Sequence, residues 1–158
     1  METGGQFHQV AEQPRTKVGD APDGTGATVI REEPSFAGPA AAIGAALGHI
    51  ESDRVTVVAC DHPFVADAIE ALTSEDLHGV DGAIAVDRTG RRQNLLFTAQ
   101  RQALEQAVEG HESLVDVAVH QLLAGLRLRE VEVSERSLLD VDTWEDHAKL
   151  EEIDARPE

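Results

Sequence analysis

Lysine is nearly missing from this chain: Lys17 and Lys149 are the only two, and 13 basic residues face 30 acidic ones for a net charge of −17. Nucleic-acid binding relies on clustered Lys and Arg that neutralise phosphates, so this composition argues against such a partner. Arg88, Arg91 and Arg92 make one local patch and no broad stripe. A small phosphate-bearing ligand would need that patch, or a divalent metal, to offset the repulsion. Cysteine occurs once, at Cys60, which rules out an internal disulfide and fits a reducing, cytoplasmic setting. No run approaches the ~18 consecutive apolar residues of a membrane span, and Met1 to Pro14 lacks the apolar core of a signal peptide. The seven histidines show no metal-ligand spacing, so a zinc site is not expected.

What is present is a strand that ends in a carboxylate. Val55-Thr56-Val57-Val58-Ala59-Cys60 is an unbroken apolar, largely β-branched run, followed by Asp61-His62-Pro63-Phe64. A strand hydrophobic at every position is covered on both faces, as in the middle of a parallel sheet. Ligands in such sheets bind beyond the carboxyl ends of the strands, where Asp61 would sit. A lone aspartate there also serves as an ordinary turn or helix cap, and only its surroundings can decide between the two roles. Cys60, at the end of the same run, reads as a packing residue, since no activating base is identifiable beside it.

Elements alternate along the chain. Residues 1–26 are polar and rich in Gly and Pro, with a short strand at Thr16-Lys17-Val18 and a turn at Asp23-Gly24-Thr25-Gly26. Ala27 to Arg31 reads as a strand, and Pro39 opens an Ala-rich helix through His49. Val65, Ala68, Ile69 and Leu72 share a helical face. Ala83 to Val86 and Asn94 to Thr98 are strands of a hairpin across an Asp87 to Arg92 turn. Helices are expected at Gln102 to Val108 and at Leu114 to Leu123, where Val115, Ala118, Val119 and Leu122 align, with a strand at Leu128 to Val133. Thr143, with Asp146 three residues on, reads as the capping pair of a last short helix. This alternation predicts one α/β domain over 27–150, a three-layer α/β/α sandwich with a mostly parallel sheet, and a tail at 151–158.

Four segments in this order resemble the molybdenum cofactor guanylyltransferases and their wider nucleotidyltransferase family, whose fold is that of the nucleotide-diphospho-sugar transferases. They are Gly38-Pro39-Ala40-Ala41-Ala42-Ile43, Val57 to Phe64, Asp87-Arg88-Thr89-Gly90-Arg91-Arg92-Gln93-Asn94-Leu95, and Leu139-Asp140-Val141-Asp142-Thr143-Trp144-Glu145-Asp146. The resemblance spans about Arg31 to Leu150. It implies transfer of a nucleoside monophosphate from a nucleoside triphosphate, GTP first, to a molybdopterin-type acceptor, with pyrophosphate released. By the same resemblance Asp61 is the catalytic residue and ligates Mg²⁺, with Asp140 completing the metal shell. Gly38 and Pro39 join Asp61 in contacting the nucleotide, and Arg91, Gln93, Asp140 and Asp142 contact the acceptor. Backbone approach at Gly38 and the open N–H groups of the following helix suit a phosphate.

The chain also departs from the family pattern. The glycine-rich loop with basic residues that wraps the triphosphate has no counterpart, and Gly4-Gly5 follows no strand. On this resemblance the chain starts near the second strand of a complete member. Asn94 stands at a usual proline, and Asp140 and Asp142 replace paired asparagines. Two function classes follow: an enzyme of this family, or a relative that keeps the fold as a binding module without transfer. A phosphoacceptor receiver domain, which shares a strand-end aspartate, lacks support here because its acidic pair and late lysine are not recognisable.

Overall fold

Thr16-Lys17-Val18 and Thr28-Val29-Ile30 are short runs rich in β-branched residues, whose side chains suit a pleated backbone. The computed structural model describes residues 16–18 and 28–140, and in it these runs form β1 (Thr16–Val18) and β2 (Thr28–Ile30). They pair in parallel, with Thr16 opposite Thr28 and Val18 opposite Ile30. Both lie in the first of two compact units, Met1–Ser52 with Glu105–Leu122; the second is Asp53–Leu104 with Leu123–Glu158. In the first unit, helix α1 (Pro39–Leu47) begins at a proline, where a missing N–H costs nothing. Ala40, Ile43 and Leu47 form its buried stripe at i, i+3 and i+7.

The second unit holds a four-stranded sheet in the order β3-β5-β4-β6. Its strands are β3 (Arg54–Val58), β4 (Gly82–Val86), β5 (Arg92–Gln100) and β6 (Leu128–Glu132). β5 runs antiparallel to both β3 and β4, and β4 runs parallel to β6. The α/β class is as expected, but the sheet is mixed, which corrects the expectation of a mostly parallel one. The cause is the predicted hairpin. A turn as short as Asp87 to Arg91 cannot make a crossover, so β5 must return antiparallel to β4, and it inserts between β4 and β3.

This insertion also moves β3 from its expected central position. Among the described residues β3 is an edge strand of its sheet, paired only with β5, and Val57 and Val58 are half-buried. The strand buried at all positions is β4, Gly82-Ala83-Ile84-Ala85-Val86. An unbroken apolar run reports that both faces of a strand are covered. It carries no information about which edges have neighbours, so β3 and β4 looked alike in the sequence.

Helix α2 (Ala66–Thr73) links β3 to β4 and covers one face of the sheet. Its Ala68 and Leu72 pack with Leu77, Ala83, Ala85, Leu96 and Val133 in one apolar cluster. Burial of a leucine such as Leu72 stabilises by roughly 1.5–3 kcal/mol. Gly82 of β4 stands opposite Ala99 of β5 and Leu128 of β6. A Cβ there would strike the Thr98 carbonyl oxygen and lie 2.9 Å from Ala99 Cα. Helix α3 (Arg101–Glu109) agrees with the expected helix at 102–108. The helix expected over 114–123 shrinks to α4 (Val119–Leu123), because Asp116 adopts a left-handed φ of 58° and Val115 turns outward. The expected cap at Thr143 and the tail lie outside the described residues. No described helix is long and apolar enough to cross a membrane.

Candidate functional site

Because β5 is antiparallel to its neighbours, β3, β4 and β6 all point the same way. Their carboxyl ends therefore share one end of the second unit's sheet, the place where α/β sheets bind ligands. Three segments gather there. The first is the loop after β3, residues 59–65, held to the sheet by the Ala59 N–H donating to the Leu95 carbonyl at 3.0 Å. It presents Cys60 and Asp61 to solvent. The Asp61 carboxylate lies 3.6 Å from Nε2 of His62 and remains about half exposed.

The second segment is the turn from Asp87 to Arg91. Oδ1 of Asp87 accepts from the Thr89 N–H at 2.8 Å, the Thr89 hydroxyl at 2.6 Å and the Arg91 N–H at 3.0 Å. The Thr89 hydroxyl, followed by the Arg91 N–H, holds the Asp87 carboxyl below its ordinary pKa, because both bonds favour the charged form. These three bonds fix the backbone of the turn that carries Arg88 and Arg91. Arg92 pairs with Glu130 at 2.8 Å, while Arg91 is solvent-exposed. Gln93, half-buried, donates from Nε2 to the Arg91 carbonyl at 3.3 Å.

The third segment follows β6: a 3₁₀ turn at Glu135–Leu138, then Leu139 and Asp140. Ser134 caps it by accepting from the Ser137 N–H at 3.2 Å. This segment is tied to both of the others. Nδ1 of His62 lies 3.3 Å from the Leu139 carbonyl, and the Arg136 guanidinium sits 4.5 Å above the Phe64 ring. Arg88 reaches across from the Asp87 turn to Glu135 at 3.0 Å. Asp61 and Asp140 therefore each stand one residue from the His62–Leu139 contact, and the arginine-bearing turn is joined to the same 3₁₀ turn.

Of the residues singled out in the sequence, the second unit brings Asp61, Asp140, Arg91 and Gln93 to one end of its sheet. Asp142 lies outside the described residues. Gly38 and Pro39 belong to the first unit. Gly38 precedes α1 with a φ of 100°, a backbone only glycine adopts easily, and the helix start has no side-chain cap. Three connectors escaped sequence reasoning: His62, Arg136 with Phe64, and Arg88 with Glu135. Each is a contact between segments far apart in the chain, which no local spacing reveals.

The chemistry available is that of exposed hard oxygens beside a small basic turn. Among the described residues no group of three or more His, Cys, Asp or Glu could hold a metal by itself. That arrangement suits Mg²⁺, which keeps waters and uses one or two carboxylates together with substrate phosphates.

Comparison with known proteins bears on the family and the fold. A profile of the MobA-like NTP transferase domain matches residues 6–130. Among solved structures, molybdopterin-guanine dinucleotide biosynthesis protein A from Archaeoglobus fulgidus is similar with a TM-score of 0.62 and 22% identity, over 82% of this chain and 69% of that one. The 2-C-methyl-D-erythritol 4-phosphate cytidylyltransferase from Thermus thermophilus is similar with a TM-score of 0.64 and 17% identity, over 96% of this chain and 88% of that one. At such identities the likeness shows the fold, that of the nucleotide-diphospho-sugar transferases. No curated protein matches the chain by sequence alone.

Proposed function

The chain belongs to the MobA-like NTP transferase family, and we propose that it transfers a nucleoside monophosphate from GTP to a molybdopterin-type acceptor. In this reaction a terminal phosphate oxygen of the acceptor forms a bond to the α-phosphorus. The bond from that phosphorus to the bridging oxygen breaks, and pyrophosphate leaves with the electron pair. Such chemistry depends on positioning and charge neutralisation and requires no protein nucleophile. The observation that carries the reading is the joining of the Asp61 loop, the Asp87–Arg91 turn and the Asp140 segment at one end of the sheet.

Roles follow from the side chains. Asp61, with Asp140 beside the same contact, would hold Mg²⁺, which when bound neutralises phosphate charge. Arg91 and Gln93 on their fixed turn would orient the acceptor, and Asp142 would join them. Gly38 and Pro39 would bring the opening turn of α1 close to the nucleotide, whose uncapped N–H groups favour an anion. CTP is the competing donor.

A second reading makes the chain a nucleotide-binding relative of this family without transfer. Pyrophosphate release with GTP or CTP, Mg²⁺ and a molybdopterin-type acceptor separates the two. Acceptor-dependent release supports the transferase. Nucleotide binding without release supports the binding module, and absence of both overturns the nucleotide reading altogether.

A further inference from the structure

We propose that His62 is a positioning residue for Mg²⁺: its ring clasps the loop after β3 to the segment after β6 and so sets Asp61 and Asp140 to serve one ion. The role rests on the nucleotidyltransferase reading and adds to it the side chain that holds the two carboxylates in place. Nδ1 of His62 lies 3.3 Å from the Leu139 carbonyl, although 77 positions separate the two in the chain. A carbonyl oxygen only accepts, so Nδ1 carries the proton of that bond. In the neutral ring Nε2 is then an acceptor, and it faces the Asp61 carboxylate at 3.6 Å with no proton to give it. The ring is thus anchored through Nδ1 while the Asp61 oxygens stay open to a cation.

The clasp acts on the backbone next to both carboxylates. The Leu139 carbonyl belongs to the peptide unit that leads into Asp140. The Leu139 N–H in turn donates to the Arg136 carbonyl at 3.2 Å, so the peptide units on both sides of Leu139 are held. On the other side of the bond, Asp61 directly precedes His62, and Pro63 restricts the His62 backbone to extended conformations. The His62 side chain is only 18% exposed, against 46% for that of Asp61. A sheltered ring therefore stands beside an open carboxylate.

The joint between the two segments does not depend on this ring to form. The Arg136 guanidinium covers Phe64 at 4.5 Å, and Val65 and Leu138 both pack against the apolar cluster that contains Ala68 and Leu72. Those contacts bring the segments together, and His62 adds the one that bears on the backbone beside both Asp61 and Asp140. Hydrogen-bond partners placed in this way orient metal ligands and raise the affinity of the ion without touching it.

Nitrogen NMR and binding titrations of the full chain test the proposal. The His62 signal is assigned by its loss in His62→Asn. In the wild type at about pH 8.5, above the ordinary histidine range, its proton should sit on Nδ1. A proton on Nε2 overturns the clasp. GTP and CTP with Mg²⁺ should bind His62→Ala ~10-fold more weakly than the wild type, the low end of what loss of a ligand-orienting partner costs a metal site. The side-chain amide of His62→Asn carries an N–H donor as many bonds from the backbone as Nδ1, so this variant should bind as the wild type does. Unchanged affinity in His62→Ala overturns the positioning role. So does a loss in His62→Asn as large as that in His62→Ala, and in both cases nucleotide binding by the wild type still stands. A wild type whose nucleotide binding does not respond to Mg²⁺ overturns the metal reading on which the role rests. One that binds no nucleotide overturns the nucleotidyltransferase reading itself.

Discussion

Replacing Gly82 by alanine tests whether the sheet is packed as described. The added methyl group would strike the Thr98 carbonyl oxygen, sit 2.9 Å from Ala99 Cα and 3.0 Å from a Leu128 methyl. Two of these neighbours are backbone of β5, so they cannot swing aside, and the β4–β5 ladder has to open. Overpacking of this kind costs about 1–3 kcal/mol. Against it stands a gain of about 0.4–1 kcal/mol from the smaller conformational entropy of alanine in the unfolded chain. The clash wins, and the net loss is roughly 1–2 kcal/mol, or about 2–8 °C in melting temperature for a chain of this size. Gly48→Ala is the matched control. Its φ is −64° and the nearest atom to a new Cβ is 3.7 Å away, so the entropy gain acts alone and stability should rise slightly. Urea unfolding of both variants measures the difference. A Gly82→Ala protein as stable as the wild type would refute the close approach of β4 to β5.

Three further outcomes are expected. Leu72→Ala, which empties the centre of the α2 cluster, should lose about 2–5 kcal/mol in urea unfolding. Asp81 accepts from the Arg127 N–H at 2.7 Å, and this bond first, then the Arg127 side chain, holds its carboxyl below the ordinary value against the opposing effect of burial. A lowered folded-state pKa contributes stability that is present above the unfolded value near 3.9 and is lost as pH falls through the folded one. Asp81→Asn should therefore show a smaller fall in urea midpoint between about pH 6 and pH 3 than the wild type. On the proposed function, Asp87→Ala releases the turn and Arg91→Ala removes its exposed cation, so both should raise KM for the acceptor while leaving nucleotide binding unchanged.

The sequence carried most of the elements but not their neighbours. The runs at Thr16-Lys17-Val18, Thr28-Val29-Ile30 and Gly82 to Val86, the hairpin across Asp87 to Arg91, and α1 to α3 were legible because period and punctuation are local properties. The place of β3 was not, since apolarity reports covered faces and sheet order is decided by which strand inserts at an edge. The helix spacing at 114–118 failed for another reason. Asp116 is one of the few residue types that tolerate a left-handed φ, and that single backbone angle outweighed a well-aligned apolar face. Motif order singled out Asp61, Arg91, Gln93 and Asp140 as candidates, whereas the contacts that bring their segments to one end of the sheet join residues as far apart as His62 and Leu139.

The central claim is that this chain binds a nucleoside triphosphate with Mg²⁺ at Asp61, and calorimetry of GTP and CTP with and without Mg²⁺ tests it most directly. Mg²⁺-dependent binding of the nucleotides is expected, and Asp61→Asn is expected to remove the Mg²⁺ dependence. Binding that is absent at millimolar nucleotide, or unchanged by Asp61→Asn, would contradict the claim.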